Sequence, residues 1–310
     1  MNTLKTILVA VDFSTGSRAA LEQASRIARL QGAKLHVLHV VDSTAVATLA
    51  SSRESTYESQ ATSATEGART ALNAWLTQSE VPADVEVTIA IGTPLHEILE
   101  HVRSLKADLL VAGIAGTGQT VAGAGSVSGK LARKSPSRVL LVRSTHPHAF
   151  QRVVACIDFS DTAKEVMAAA RRIAIKDSAS VDFLHVWQEP LIASPYGGSG
   201  DTLIGIGHPT VVFTPAERQT LIEGLRHELH EFVSDAAQGI KATEVLRESL
   251  NYGNGIAAHA EEAKADLIVM GGKGRTNLRY MLMGSTAERL LTRLPCSILI
   301  VKPTLENTGS

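Results

Sequence analysis

The chain has 310 residues, and at about 100–200 residues per domain this predicts two domains. It is 44% hydrophobic and 20% charged, with few aromatics, the balance of an ordinary globular protein rather than a disordered or fibrous one. Lys plus Arg total 30 and Asp plus Glu 31, a formal net charge of −1, which argues against a broad basic footprint for nucleic acid or an anionic membrane.

From Met1 the chain runs straight into the strand-like Thr6-Ile7-Leu8-Val9-Ala10-Val11, with no cationic segment ahead of a signal-type apolar core. No apolar run approaches the roughly 18 residues needed to span a bilayer, so a cytoplasmic chain is expected. Continuous apolar runs predict strands at about 5–11, 34–41, 84–91, 107–112 and 138–142, and helical patterns fall at about 15–31, 53–79, 94–104 and 125–133. A short linker, Thr145-His146-Pro147-His148, follows, and then the pattern begins again, with helices near 161–175, 216–237, 254–264 and 284–293. Ser14 and Ser160 are positioned as N-caps after the first strand of each unit. Cys156 and Cys296 each sit in or beside an apolar run and read as buried free thiols. Nothing suggests a disulfide framework, which fits a reducing compartment.

Four blocks recur in order, offset by about 150 residues. Ile7–Ser14 (ILVAVDFS) returns as Val153–Ser160 (VVACIDFS), His36–Val40 as Asp182–Val186, Ala107–Gly113 as Ala265–Gly271, and Ser135–Val142 as Leu294–Val301. Chance similarity explains one apolar block but not four in register, and the period is far longer than a solenoid repeat, so each unit is a domain. The boundaries read as 1–145 and 150–304. Alternating strands and helices with unbroken apolar strands predict an α/β fold. It would have two tandem, doubly wound (Rossmann-like) domains, each with a five-stranded, mostly parallel sheet. Ligands in such sheets bind beyond the carboxyl ends of the strands, where strand order reverses. The stretch 188–214, with several Gly and Pro, breaks the symmetry and reads as an inserted surface loop, with a lid or interaction arm as the alternative.

The second unit carries Gly271-Gly272-Lys273-Gly274-Arg275 after its fourth strand, and nine residues separate Gly274 from Gly284-Ser285-Thr286 at a helix start. Glycines let backbone approach a bulky anion, and the free N–H groups and dipole of a helix start favour phosphate. Ser285 and Thr286 add hydroxyls; Lys273, Arg275 and Arg279 add positive charge. One glycine-rich turn would be a plain turn; two at this spacing after a fourth strand predict a phosphate cradle. Asp158, ending the first strand, can accept hydrogen bonds from a ribose or base, or cap the next helix. Val186 can offer its backbone to an adenine edge.

These motifs resemble the universal stress protein family over nearly the whole chain, as two copies. The resemblance rests on the Asp-Phe-Ser strand ends, the His-Val strand ends and the loop pattern Gly-x-x-Gly, nine residues, Gly-Ser. In the ATP-binding branch the loop glycines and following serine hold phosphates, and the aspartate contacts the adenosine part. By position this implies Asp158, Val186, Gly271, Gly274, Gly284 and Ser285. The first unit offers Asp12, Val40, Gly113, Gly116, Gly125 and Ser126, but only eight residues separate Gly116 from Gly125, and that stretch has no cation. With about 3.8 Å between successive Cα atoms, the first site is expected to bind more weakly or stay empty.

Other constellations fail. Gly123–Leu131 misses a phosphate-loop motif twice, at Ala124 and Leu131, and Gly113-x-x-Gly116-x-Gly118 follows the fourth strand, where a dinucleotide fingerprint would follow the first. His36 and His39 point to opposite faces of a strand, and His227 and His230 lack a third ligand at metal spacing. No metal site and no catalytic set is assigned. The expected ligand is ATP or another adenine nucleotide, with or without Mg²⁺. The expected role is a stress sensor or partner-binding module for an unidentified protein. A slow ATPase and a nucleotide-free scaffold are the alternatives, and no general base or Mg²⁺-binding carboxylate pair stands beside the loop for the first of these. The apolar last strands of the two units need cover, so an intramolecular pseudo-dimer is expected, and two chains could associate in turn.

Overall fold

The computed structural model describes residues 4–79, 81–82, 84–114, 124–143, 149–189, 192–193, 210–211, 214–272 and 283–302. The first unit runs β1 (Thr6–Val11), α1 (Thr15–Gln31), β2 (Lys34–Asp42), α2 (Ser43–Ser52), α3 (Tyr57–Gln78), β3 (Glu86–Gly92), α4 (Pro94–Ser104), β4 (Leu109–Gly113), α5 (Ser126–Lys134) and β5 (Arg138–Val142). The second runs β6 (Arg152–Cys156), α6 (Asp161–Asp177), β7 (Ser180–Trp187), the short β8 (Ile192–Ala193) and β9 (Thr210–Val211), α7 (Pro215–Ala237), β10 (Lys241–Glu248), α8 (Tyr252–Glu262), β11 (Leu267–Gly271), α9 (Ser285–Thr292) and β12 (Ser297–Val301). Among the described residues no helix is long and apolar enough to cross a membrane.

Ten strands form one sheet in the order β10-β7-β6-β11-β12-β5-β4-β1-β2-β3. Each half is a five-stranded parallel sheet of the same internal order, first strand beside fourth. The halves meet through the one antiparallel junction of the ten-stranded sheet, β5 with β12. Its register is self-complementary. Leu140 faces its own repeat equivalent Leu299, while Val139 faces Ile300 and Leu141 faces Ile298, as an isologous contact requires. Each last strand thereby covers the other's exposed edge.

The strands are apolar without alternation because both faces are covered. Ile7, Val9 and Val11 face one core layer, shared with α1 and α6, and Leu8 and Ala10 face the other, shared with α4 and α5. Across the junction Arg26 of α1 forms a two-pronged pair with Asp177 of α6, both contacts at 2.8 Å. Lys302 Nζ also donates to the Ala132 carbonyl at 2.7 Å.

Two sequence expectations need correction. The helix expected over 53–79 is α3 alone, which starts at Tyr57; Arg53–Thr56 separates two helices, with Glu54 at φ 49° and Thr56 capping α3. The first of them, α2, was not expected: its Ser/Thr/Ala-rich run buries only Val46 and Ala50, too few apolar positions to show a period. Asp42 caps it through the Thr44 N–H at 2.8 Å. The segment 188–214, expected as loop, contains the two-residue antiparallel ladder β8–β9; positions 194–209 and 212–213 lie outside the described residues, as does the linker 144–148.

His36 on β2 is buried, with Nδ1 3.0 Å from the Glu86 carboxylate, which also pairs with Lys34. Burial lowers its pKa below the ordinary 6.5, opposed by Glu86 and helped by Lys34. The unfolded chain therefore takes up this proton more readily than the folded one, so stability rises with pH across the interval between the two values. The contribution is full above pH 6.5 and declines as pH falls through it. His36→Gln should flatten this acid limb in urea unfolding at pH 7.5 against 5.5; an unchanged slope would refute the assignment.

Candidate functional site

At the end of β1 the chain turns at Phe13, which holds φ 63°, and Phe159 repeats this at φ 59° after β6. Left-handed backbone at a non-glycine residue is uncommon and must be held by its surroundings. The holding is the same in both units. His39 Nδ1 donates to the Val11 carbonyl at 2.8 Å and its ring lies 4.5 Å from Phe13. His185 does the same to Ile157 and Phe159, at 2.8 and 4.5 Å. The sequence reading missed this device, although its signal, Asp-Phe-Ser paired with a downstream His-Val, is present in both repeats.

The turn fixes the two aspartates. Asp12 Oδ1 accepts from the Ser14 N–H at 3.0 Å; Asp158 Oδ1 accepts from the Ser160 N–H at 3.1 Å and the Ser160 hydroxyl at 2.6 Å. Ser14 and Ser160 are the helix caps, bonded to the Ser17 and Ala163 N–H groups. The aspartates thus shape the turn before the helix rather than capping it.

In the first unit, Asp12, Val40, Gly113, Gly125 and Ser126 line one cleft of about 270 Å³, with Ser17, Pro94 and Ile98 in its walls. It lies at the carboxyl ends of β1 and β4, where strand order reverses. Gly113 serves packing as well as the cleft: a Cβ there would stand 2.7 Å from the Gly16 carbonyl carbon and 2.9 Å from the Ser17 nitrogen. The Gly125 N–H donates to Ile114 at 2.7 Å, and the Ser128 hydroxyl to Gly113 at 2.7 Å, seating α5 on β4. Gly116 lies outside the described residues.

The second unit repeats the frame. Asp158 follows β6 beside β11, Gly271 ends β11, and Gly284, Ser285 and Thr286 open α9, with the Gly284 N–H bonded to Gly272 at 2.9 Å. Lys273, Gly274 and Arg275, with Arg279, lie outside the described residues. Val186 differs from its counterpart: it is buried while Val40 is half-buried. The cause is α8, whose Gly255 sits so close that a Cβ would stand 2.8 Å from Val186 Cγ1.

Most helices here carry a side-chain cap: Ser14, Asp42, Thr56, Ser160, Thr214 and Asn251 each bond a first-turn N–H. The glycine-headed α5 and α9 do not, and neither does α4, whose first helical position is Pro94. Among the described residues the first-turn amides of α5 and α9 therefore have no N-cap side chain as acceptor. Arg133 of α5 lies 3.8 Å from Glu288 of α9, which offsets the acidic group in the first turn of α9.

No thiol contributes reactivity: burial pushes both cysteines up, Cys296 to about 12, so neither is a thiolate near neutral pH. Among the described residues no three His, Cys, Asp or Glu side chains cluster as metal ligands. His227 and His230 instead meet Glu231 at 3.3 Å and Glu244 at 2.9 Å on the surface.

The model of the universal stress protein family matches residues 3–143 and 208–302. Universal stress protein YxiE of Bacillus subtilis is 35% identical over 159 residues, covering 49% of this chain and 99% of that protein. Universal stress protein MJ0531 of Methanocaldococcus jannaschii is 30% identical over 154 residues, 49% of this chain and 82% of its own. Among solved structures, PA1789 of Pseudomonas aeruginosa PAO1, of unknown function, superposes with a TM-score of 0.69 at 18% identity, covering 97% of this chain and 93% of that one. A universal stress protein of Archaeoglobus fulgidus gives 0.65 at 18%, covering 96% and 98%. At these identities the two structures show a shared fold across both halves.

Proposed function

We propose that this chain, which belongs to the universal stress protein family, binds an adenine nucleotide, ATP first, at its switch-point clefts and works as a nucleotide-dependent sensor or partner-binding module. The observation that carries this reading is the pair of helices, α5 and α9, that start from glycine N-caps after the fourth strands, with no side-chain cap among the described residues. The donor set fits a polyphosphate: first-turn amides, the Ser126 or Ser285 and Thr286 hydroxyls, and a helix dipole aimed at the anion. Asp12 and Asp158, held by their turns, stand across the same switch point for the ribose or base. The second unit is the tighter site in this proposal, because Lys273 and Arg275 add charge and the glycine spacing is complete. With or without Mg²⁺, the nucleotide is retained rather than turned over.

Asp is both a good helix cap and an anion, so Gly284→Asp gives α9 its own acceptor and fills the place of the phosphate. Gly284 has φ −74°, a conformation any residue adopts, so the variant should fold with unchanged thermal stability. Losing even one charge-assisted hydrogen bond costs about 1.5–3 kcal/mol, so ATP binding should weaken by about tenfold or more. Gly125→Asp should have a smaller effect on total nucleotide. The measurement is mass spectrometry of small molecules released on denaturation, with titration calorimetry of both variants. An empty wild-type protein that also shows no thermal shift with added ATP would sink the proposal.

A further inference from the structure

We propose that a groove at the junction of the two units, on the opposite side of the sheet from the nucleotide clefts, binds an amphipathic organic monoanion: a carboxylate carried on an apolar chain. The groove lies between α1 and α6 and is open at its mouth, with a cavity volume of about 80 Å³ against about 270 Å³ for the switch-point cleft. Its floor is apolar, made by Leu109, Leu140, Leu267 and Leu299 of the sheet, with Leu4 and Phe150 beside them. Those sheet residues belong to the core layer of α1 and α6, whereas Ala10, Leu38, Ala112 and Leu131 of the nucleotide cleft belong to the other.

Four cationic side chains, Arg26, Arg138, Arg172 and Lys176, line the same groove. Asp177 is the one carboxylate in the lining, and it is engaged by Arg26 and by the Phe150 N–H at 2.9 Å. Glu165 reaches Arg138 only at 3.9 Å, and Asp108 accepts the Lys5 and Thr6 N–H groups. The lining itself carries four cations and one carboxylate. The Arg26 Nε–H is buried with no acceptor among the described residues. Burial lowers the pKa of both Arg138 and Arg172, and Arg138 lowers that of Arg172 further, as two neighbouring like charges do. An anion between them would relieve both effects, and guanidinium forks match a carboxylate in shape. Apolar walls with a few convergent charged groups are the usual make-up of a small-molecule pocket. An inorganic anion would satisfy the arginines and leave the leucine floor wet; an apolar chain covers it.

The test uses sodium octanoate with the full chain in titration calorimetry, with 1-octanol and sodium sulfate as controls. One octanoate per chain should bind, with both controls at least about tenfold weaker, since a hydrogen bond to a charged group carries about 1.5–3 kcal/mol. Arg172→Gln and Arg138→Gln should each weaken octanoate about tenfold and leave ATP binding unchanged. Sulfate binding as tightly as octanoate, or octanol equalling it, would overturn the amphipathic occupant. Crystals of the wild-type protein with 8-bromooctanoate give a readout independent of variant folding. Anomalous bromine signal between α1 and α6 supports the site, and signal elsewhere or none overturns it.

Discussion

Arg26→Ala is expected to lower the unfolding free energy by about 3 kcal/mol. Arg26 holds Asp177 with two bonds of 2.8 Å and lies 5.6 Å over the Phe150 ring. The Asp177 side chain is 4% exposed. Without its partner that carboxylate keeps one donor among the described residues, the Phe150 N–H, and an uncompensated buried charge is what makes a broken pair costly. Arg26 itself is 18% exposed, so solvent screens part of the interaction and the lower end of the buried-pair range applies. Because the pair joins α1 of one unit to α6 of the other, the loss should appear in urea unfolding as a lower midpoint and as an earlier release of the inter-unit junction. The double replacement Arg26→Met with Asp177→Leu should regain most of the stability, since it removes both charges together. A single variant within 1 kcal/mol of wild type would show that the pair contributes little, as surface pairs do.

Gly113→Ala is expected to destabilise by about 2 kcal/mol, in the range of overpacking in a dense core, and to weaken nucleotide binding in the first unit as well. Its added Cβ would meet the backbone of Gly16 and Ser17 at 2.7–2.9 Å. Backbone cannot rotate out of the way as a flexible side chain can, so the first turn of α1 must move off β4. That turn carries the Ser14 cap, which is tied to Asp12 at 3.0 Å. One methyl group therefore disturbs packing and cleft together. Hydrogen exchange should localise the change to the start of α1. A loss under 0.5 kcal/mol with normal protection there would refute the close approach.

Part of the site was legible because its signals are local. Glycine, serine and aspartate at the ends of apolar runs report turns, caps and anion-binding amides by their own chemistry. Asp12, Gly113, Gly125 and Ser126 stand at such ends, and with Val40 they follow by position from the family resemblance; the five line one cleft. Gly113 was legible as a cleft residue but not as a packing residue, because its contact with Gly16 spans the helix–sheet layer. Val40 and Val186 were read as equivalents, yet they differ in burial, since the packing of Gly255 on Val186 follows from the placement of α8. The short α2 escaped because its two buried positions give no period. The left-handed Phe13 and Phe159 escaped because bulky side chains disfavour that backbone on their own; the histidine hydrogen bonds impose it.

By itself, then, the sequence determined the repeat, the alternation of strands and helices, and the placing of site residues at strand ends. Each of these rests on spacing within one element or on similarity between two copies. Only the tertiary structure decided how the copies meet: Leu140 against Leu299 in an antiparallel junction, Arg26 locked to Asp177, and a cationic groove beneath them. The physical reason is distance along the chain. Contacts between residues some 150 positions apart depend on how two finished surfaces fit, and no local period or propensity encodes that fit.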